Sequence, residues 1–305
     1  MRIVSLLPSA TEIVCFLGLE DQLLGITHEC DYPESIRNRP KLTSSIIDHS
    51  HSTPSQIDRH IKESLHQGSS IYFLDRELLD RLDPDLVITQ ELCDVCAVSY
   101  KEVERAVKEL YGERRVISLD PGNIQEVLAS IMTVAGTVGI EESARSLVSG
   151  LQERIDRVAS LTKNVSHRPR VYCMEWYDPP YSAGHWVPGM VEMAGGIEVL
   201  GEAELPSRAV SWEEISIASP EMIILMPCGY DLAETLEQAK KASLPASWAG
   251  LPAVKSGNIY AVNGSAYYNR PGPRLVDGLE ILAQLLHPEL NICKIKEDQA
   301  AKISL

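Results

Sequence analysis

Short apolar runs alternate with stretches of helical period along most of this chain. Residues 3–7 form a compact apolar run of the kind a buried parallel strand shows, and Pro8 closes it. Ser9 and Glu12 then stand at S-x-x-E spacing, which predicts a capping box opening a helix to about Leu17, with Gly18 as its stop. Strands are expected at 24–27, 85–89 and 115–119, the last two each preceded by a helical pattern. The polar stretch 141–165 carries Ala144, Leu147, Val148, Leu151, Ile155 and Val158 at helical spacing, has no internal proline, and reads as one long helix. Alternation resumes with strands at 170–175, 222–226 and 258–262 and a last helix at 273–286. This order argues for α/β layers built on parallel sheets.

Two segments break the pattern. Residues 44–70 are rich in Ser and His; Thr53-Pro54 predicts an N-cap followed by a first-turn proline, and Ile57, Ile61 and Leu65 share one helical face. This reads as a surface insertion with one amphipathic helix. The tail from Asn291 is polar and expected to fray. The expected organisation is an N-terminal lobe over 1–140, a linking helix over 141–165, a C-terminal lobe over 166–290 and a tail over 291–305.

Length and composition fit this layout. At 305 residues the chain suits two domains, and 44% hydrophobic with 23% charged residues is ordinary for a globular protein. No apolar run reaches the roughly 20 residues of a membrane span. With 28 basic and 43 acidic residues the net charge is −15, which disfavours nucleic acid as a partner. The seven cysteines are odd in number and scattered, so they do not form a disulfide framework. Together with the Met1-Arg2 opening, where Pro8, Thr11 and Glu12 interrupt the apolar run, they lead to the expectation of a reducing, cytoplasmic location. A chain trimmed after a leader would read identically and belong outside the cytoplasm.

Candidate chemistry concentrates in 172–190, YCMEWYDPPYSAGHWVPGM, which holds Tyr172, Trp176, Tyr177, Tyr181 and Trp186 although aromatics are only 6% of the chain. Aromatics on a proline-rich segment after a strand lie where open α/β sheets bind ligands, and flat rings offer area at low entropic cost; the alternative is that they pack the loop down. Two further segments could join them: His28 to Pro33, and Ser265 to Arg274 with its adjacent Tyr267 and Tyr268. In one extended segment those two tyrosines cannot both face a core. Cys93 and Cys96 form a lone C-x-x-C, usable for redox or metal chemistry and equally for packing. His49 and His51 make an H-x-H in the insertion, with His60 and His66 beyond. His28 and His185, on the aromatic loops, could meet a metal centre carried by a ligand. No dinucleotide, phosphate-loop, nucleophile-elbow or zinc-protease motif is present, so catalytic residues are not assigned.

Taken together, these residues resemble the cobalamin-binding members of the class III ABC-transporter solute-binding proteins, over about 1–288 apart from the insertion. The motifs are R-I-V-S-L-L-P-S-A-T-E-I-V-C-F-L-G-L at the start, D-Y-P at 31–33, L-D-P-D-L-V-I at 82–88, P-P-Y-S-A-G at 179–184, M-A-G-G at 193–196 and S-P-E-M-I-I-L at 219–225. The resemblance implies two Rossmann-like lobes with parallel sheets, joined by one long helix, and a ligand cleft between the lobes. It implies a non-covalently bound corrinoid such as cobalamin, faced by Tyr32, Trp176, Tyr177, Tyr181, Trp186, Tyr267 and Tyr268; His185 and Arg270 are added as ligand-binding candidates from their place on the same loops. It also implies an ABC permease as partner, docked through Glu77 and Glu213, both of which also suit the first turn of a helix. The insertion and the C-D-V-C loop depart from the family, as does Ser207, near where a family tryptophan would stand. The alternatives are a haem or ferric-siderophore binder, and a corrinoid-processing enzyme using His185, His28 or Cys93 and Cys96.

Overall fold

The fold is described from a computed structural model, for residues 1–45, 53–66, 72–90 and 115–305. The chain divides into two compact units. Unit 1 takes residues 1–121 and 128–148, and unit 2 takes 122–127 and 149–305.

Unit 1 begins with β1 (Ile3–Ser5), α1 (Pro8–Phe16) and β2 (Leu23–Gly25). The predicted capping box does not form. Pro8 lacks an N–H and holds a helical φ, so it serves as the first helical residue and starts the helix early. Leu7 becomes the N-cap without a side-chain bond, and Ser9 and Glu12 lie buried within the helix. Instead Ser5 Oγ donates to Leu7 O at 2.9 Å, and Thr11 Oγ1 donates to Ser5 Oγ at 2.9 Å. Gly18 stops the helix at φ +74°.

The insertion is rooted on two strands that the sequence reading left out, β3 (Thr43–Ser45) and β4 (Tyr72–Leu74), paired antiparallel. The helix α2 (Pro54–His66) stands between them in sequence, with Thr53 Oγ1 accepting from Gln56 N at 3.3 Å and Ile57 buried. Then come α3 (Arg76–Leu82), capped by Asp75, and the strands β5 (Leu86–Thr89) and β6 (Arg115–Ser118). The four-stranded sheet runs β2-β1-β5-β6, all parallel. Every residue of β1 and β5 is buried, which is why both are mostly apolar, with Ser5 and Thr89 the polar exceptions.

The helices α4 (Ile124–Val138) and α5 (Glu141–Thr162) follow. Ala144, Leu151, Ile155 and Val158 of α5 are buried, whereas Leu147 is exposed.

Unit 2 continues with β7 (Arg170–Tyr177), β8 (Pro180–Ser182), α6 (Val187–Met193), β9 (Ile197–Glu198) and β10 (Arg208–Ala209). It goes on through α7 (Trp212–Ala218), β11 (Met222–Leu225), α8 (Leu232–Lys241), α9 (Pro252–Lys255) and β12 (Ile259–Val262). It ends with α10 (Gly264–Tyr267), α11 (Leu275–Leu286) and β13 (Ala300–Lys302). Its sheet runs β10-β8-β7-β11-β12-β13, with β9 also beside β7. The centre, β7-β11-β12, is parallel, and β8, β10 and β13 are antiparallel additions.

The tail is therefore not frayed. It closes the sheet edge as β13, with Ile292 and Ile303 buried. An edge strand is held by main-chain hydrogen bonds and needs only one covered face, so a mostly polar composition did not reveal it. Within unit 2, Arg154 on α5 reaches α11, donating from Nη2 to Asp277 Oδ1 at 2.5 Å and Glu280 Oε2 at 2.7 Å. Among the described residues no helix is long and apolar enough to cross a membrane.

Candidate functional site

The carboxyl ends of β7, β11 and β12 in unit 2 carry the aromatic segments, and the pleat sorts their side chains. β7 runs through Tyr177 and turns into β8, pairing Trp176 with Tyr181 and Tyr177 with Pro180. Residues directly opposite in an antiparallel pair share a face. Tyr177 and Pro180 are buried, while Trp176 and Tyr181 are half-buried on the other face. Tyr177 Oη donates to Thr235 O at 3.0 Å, and burial pushes its phenol pKa up. The hairpin thus presents Trp176 and Tyr181 and anchors itself through Tyr177. Tyr172, lower on β7, donates from Oη to Tyr181 O at 3.0 Å.

Trp186 and Tyr268 are also scaffold. Trp186 is buried and donates from Nε1 to Tyr268 O at 2.6 Å. Tyr268 is buried and donates from Oη to Gly278 O at 3.0 Å. The segment is not extended: α10 is a helical turn capped by Asn263, and it sends Tyr268 inward and leaves Tyr267 half-buried. Tyr267 has the Arg274 guanidinium 5.8 Å from its ring centroid and accepts from Gln299 Nε2 at 3.3 Å. Arg270 is half-buried on the following loop.

His185 sits at φ +51°, a left-handed conformation uncommon for a residue with a side chain. Its N–H donates to Leu205 O at 2.7 Å and its carbonyl accepts from Glu204 N at 2.9 Å. The imidazole stacks on Trp186 at 5.5 Å and 27°. Nδ1 is sealed from solvent and meets no hydrogen-bond partner among the described residues. Burial pushes the imidazole pKa down, so the ring is neutral at pH 7.

Sequence reasoning missed Tyr230, in the loop after β11. Its ring lies 5.6 Å from that of Trp176, tilted by 47°. The residue is buried, its Oη has no hydrogen-bond partner among the described residues, and burial pushes the phenol up to about 12. The available signal was a lone tyrosine before the Asp231–Glu234 capping box.

The carboxyl ends of the unit 1 strands are a different surface. Tyr32 is 47% exposed. His28 is held by Thr43, Nδ1 to Oγ1 at 2.7 Å, with Nε2 3.2 Å from Glu29 Oε1 and the ring 5.6 Å from Tyr72. Nδ1 is thereby engaged by Thr43, while Nε2 is buried with the Glu29 carboxylate at 3.2 Å and no hydrogen-bond partner among the described residues. Cys30 is buried with its Sγ 3.1 Å from Thr11 Oγ1 and 3.2 Å from Thr27 Oγ1. Glu77 and Glu213 are exposed in the first turns of α3 and α7. Cys93, Cys96, His49 and His51 lie outside the described residues. Among those described, no three His, Cys, Asp or Glu residues converge as a metal site.

Comparison with known proteins defines the family. The vitamin B12-binding protein of Vibrio cholerae serotype O1 is 23% identical over 291 residues, covering 92% of this chain and 86% of the relative. An ABC transporter substrate-binding lipoprotein of Bacillus subtilis is 25% identical over 293 residues, covering 94% and 80%. A periplasmic haem-binding protein from Pseudomonas aeruginosa has the same fold, at TM-score 0.72 and 18% identity, covering 100% of this chain and 98% of that one.

These relatives overturn the cytoplasmic expectation, since they are periplasmic proteins or a lipoprotein. The cysteine argument fails for a physical reason. Among the described residues Cys15, Cys173, Cys228 and Cys293 form no disulfide; Cys30 and Cys173 are buried, and burial raises the pKa of Cys15 and Cys173. A buried protonated thiol such as that of Cys173 is inert, so an unpaired cysteine is not by itself a sign of a reducing compartment. A model for periplasmic binding proteins matches residues 3–266, and the chain belongs to that family.

Proposed function

We propose that this chain is the solute-binding component of an ABC transporter and captures a corrinoid such as cobalamin outside the cytoplasmic membrane. The observation that carries the reading is the face of Trp176 and Tyr181 on unit 2, backed by the buried Tyr230 ring, and the charge around it. Flat rings suit a large flat ligand through apolar area and shape. Glu175 lies on β7, and the loops that follow β7, β9 and β11 carry Asp178, Glu202, Glu204 and Asp231. Arg208, the cation nearest in sequence to these acids, is already ion-paired with Glu214 at 2.9 Å. A haem or an anionic siderophore presents carboxylate charge and wants cations. A corrinoid presents neutral amides around a cationic metal centre, which such a rim tolerates. The B12-binding relatives point the same way. Tyr267 and Arg270, after β12, are proposed to border the face, and Tyr32 offers exposed aromatic surface on unit 1. Glu77 and Glu213 are the carboxylates proposed to dock basic residues of the permease. Titration with cyanocobalamin and with haemin tests the ligand: micromolar or tighter corrinoid binding with weaker haemin binding supports the reading, and the reverse order rejects it.

A further inference from the structure

The two most exposed large apolar residues among those described stand close in sequence to the two carboxylates assigned above to the permease. Ile217 is 75% exposed and Phe73 is 58% exposed. Folding accounts for neither. On α7 the helical period sends Ile215 and Ala218 inward, and Trp212 meets Trp248 edge-on with ring centroids 6.0 Å apart. Glu213, Ser216 and Ile217 are left exposed at i, i+3 and i+4, which places them on one face. A β-branched residue is a poor helix former, and this one buries nothing, so Ile217 breaks two local rules without a gain to the fold. On unit 1 the pleat of β4 turns Tyr72 and Leu74 onto the core and Phe73 outward, opposite the exposed Ser44 of β3. Asp75 then caps α3, accepting from Leu78 N at 2.8 Å, and Glu77 follows in the first turn. Each unit thus carries one exposed apolar side chain and one exposed carboxylate four residues apart.

The chain does not spend these carboxylates on itself. Arg208 pairs with Glu214 at 2.9 Å, and Glu214 also closes the Ser211 capping box. Glu213 and Glu77 have no ion-pair partner among the described residues. An acid beside an apolar side chain suits a protein surface that offers a cation beside apolar groups. It does not suit an anionic bilayer, whose negative surface potential repels carboxylates.

We propose that Ile217 and Phe73 are the apolar anchors of permease docking: each buries itself among apolar side chains on the outer face of the permease, while Glu213 or Glu77 pairs with a permease Arg or Lys. The inference rests on the permease reading above and adds the residues that supply its affinity. The division of labour is physical. Exposed charges steer encounter and set register. A desolvated apolar anchor supplies binding energy and keeps water from the neighbouring ion pair, which strengthens that pair.

The test is photo-crosslinking in cells of the organism that makes this protein, using the full chain with Ser216→p-benzoylphenylalanine. Ser216 lies between Glu213 and Ile217 on the exposed face, and the readout does not depend on which ligand is carried. The expected adduct is with the membrane-spanning subunit of an ABC permease, identified by mass spectrometry. Its yield should fall about tenfold when Ile217→Ser is added and about fivefold with Phe73→Ser. Ile217→Leu should keep most of it. Immunoblots should show equal protein, and purified Ile217→Ser and Phe73→Ser should keep the wild-type urea midpoint, since neither side chain is buried. Undiminished yield in both Ser variants, with loss in Glu213→Gln, overturns the anchors and leaves the docking acids standing. No permease adduct even with Ile217 and Glu213 intact refutes the permease reading at this face and the anchors with it. An adduct with a second copy of this chain, or with lipid, in place of the permease also overturns the proposal.

Discussion

Gly184→Ala is the sharpest test of how the arm that carries His185, residues 183–185, is packed against the strap, residues 199–207. The added Cβ would meet Leu205 O and Ser207 N at 2.4 Å, both backbone atoms that cannot swing aside. Ordinary contact requires about 1 Å more, so the strap must move off the arm. Overpacking of this kind costs about 1–3 kcal/mol. Displacing Leu205 O also strains the bond from His185 N, worth about 1 kcal/mol. The expected loss is about 2–4 kcal/mol in urea unfolding at fixed pH. Gly189→Ala makes the same chemical change on α6, where nothing lies within 4 Å of the new Cβ. There the gain in helix propensity should stabilise by up to about 1 kcal/mol. Far-ultraviolet circular dichroism reports the fold, and tryptophan fluorescence reports the arm through Trp186. If Gly184→Ala falls within about 0.5 kcal/mol of wild type, or costs less than Gly189→Ala, the close approach of strap and arm is wrong.

Trp176→Ala should weaken cyanocobalamin binding about tenfold by calorimetry while leaving stability nearly unchanged, because the ring is half-buried and presented on the hairpin face. Trp186→Ala should instead destabilise by about 3–5 kcal/mol in urea unfolding, since it empties a buried site and orphans Tyr268 O. Glu198 sits at about 7 when folded and at an ordinary 4.5 when unfolded. Its contribution to stability is therefore fully present below pH 4.5 and lost as pH rises to 7, by about 3 kcal/mol. Urea midpoints across pH 4.5–8 should show this slope reduced in E198Q. Deleting 300–305 removes β13 and the buried Ile303, and should cost about 2 kcal/mol in the same assay.

Much of the scaffold was legible because it depends on local pattern. The runs that became β1, β5 and β11 are apolar apart from Ser5 and Thr89, as suits strands covered on both faces, and α5 has one helical stripe. What was hidden depends on partners distant in sequence. The ribbon of β3 and β4, the additions β8 and β10, and the edge β13 are two- or three-residue strands held by main-chain bonds, which leave little trace in side-chain type. Among the site residues, the difficulty was direction. Ending the strand at Glu175 hid the alternation that turns Tyr177 inward and Trp176 outward. Treating 265–274 as extended hid the helical turn that buries Tyr268. Glu198 was not singled out from the sequence, because nothing in I-E-V-L-G announces that the next three N–H groups fold back onto it.

The central claim is corrinoid capture by an aromatic face with an acidic rim. The most direct measurement is isothermal titration of the purified chain with cyanocobalamin, with haemin as competitor. One cyanocobalamin per chain is expected, bound at micromolar affinity or better and not displaced by equimolar haemin. Binding of haemin in preference to cyanocobalamin would contradict it.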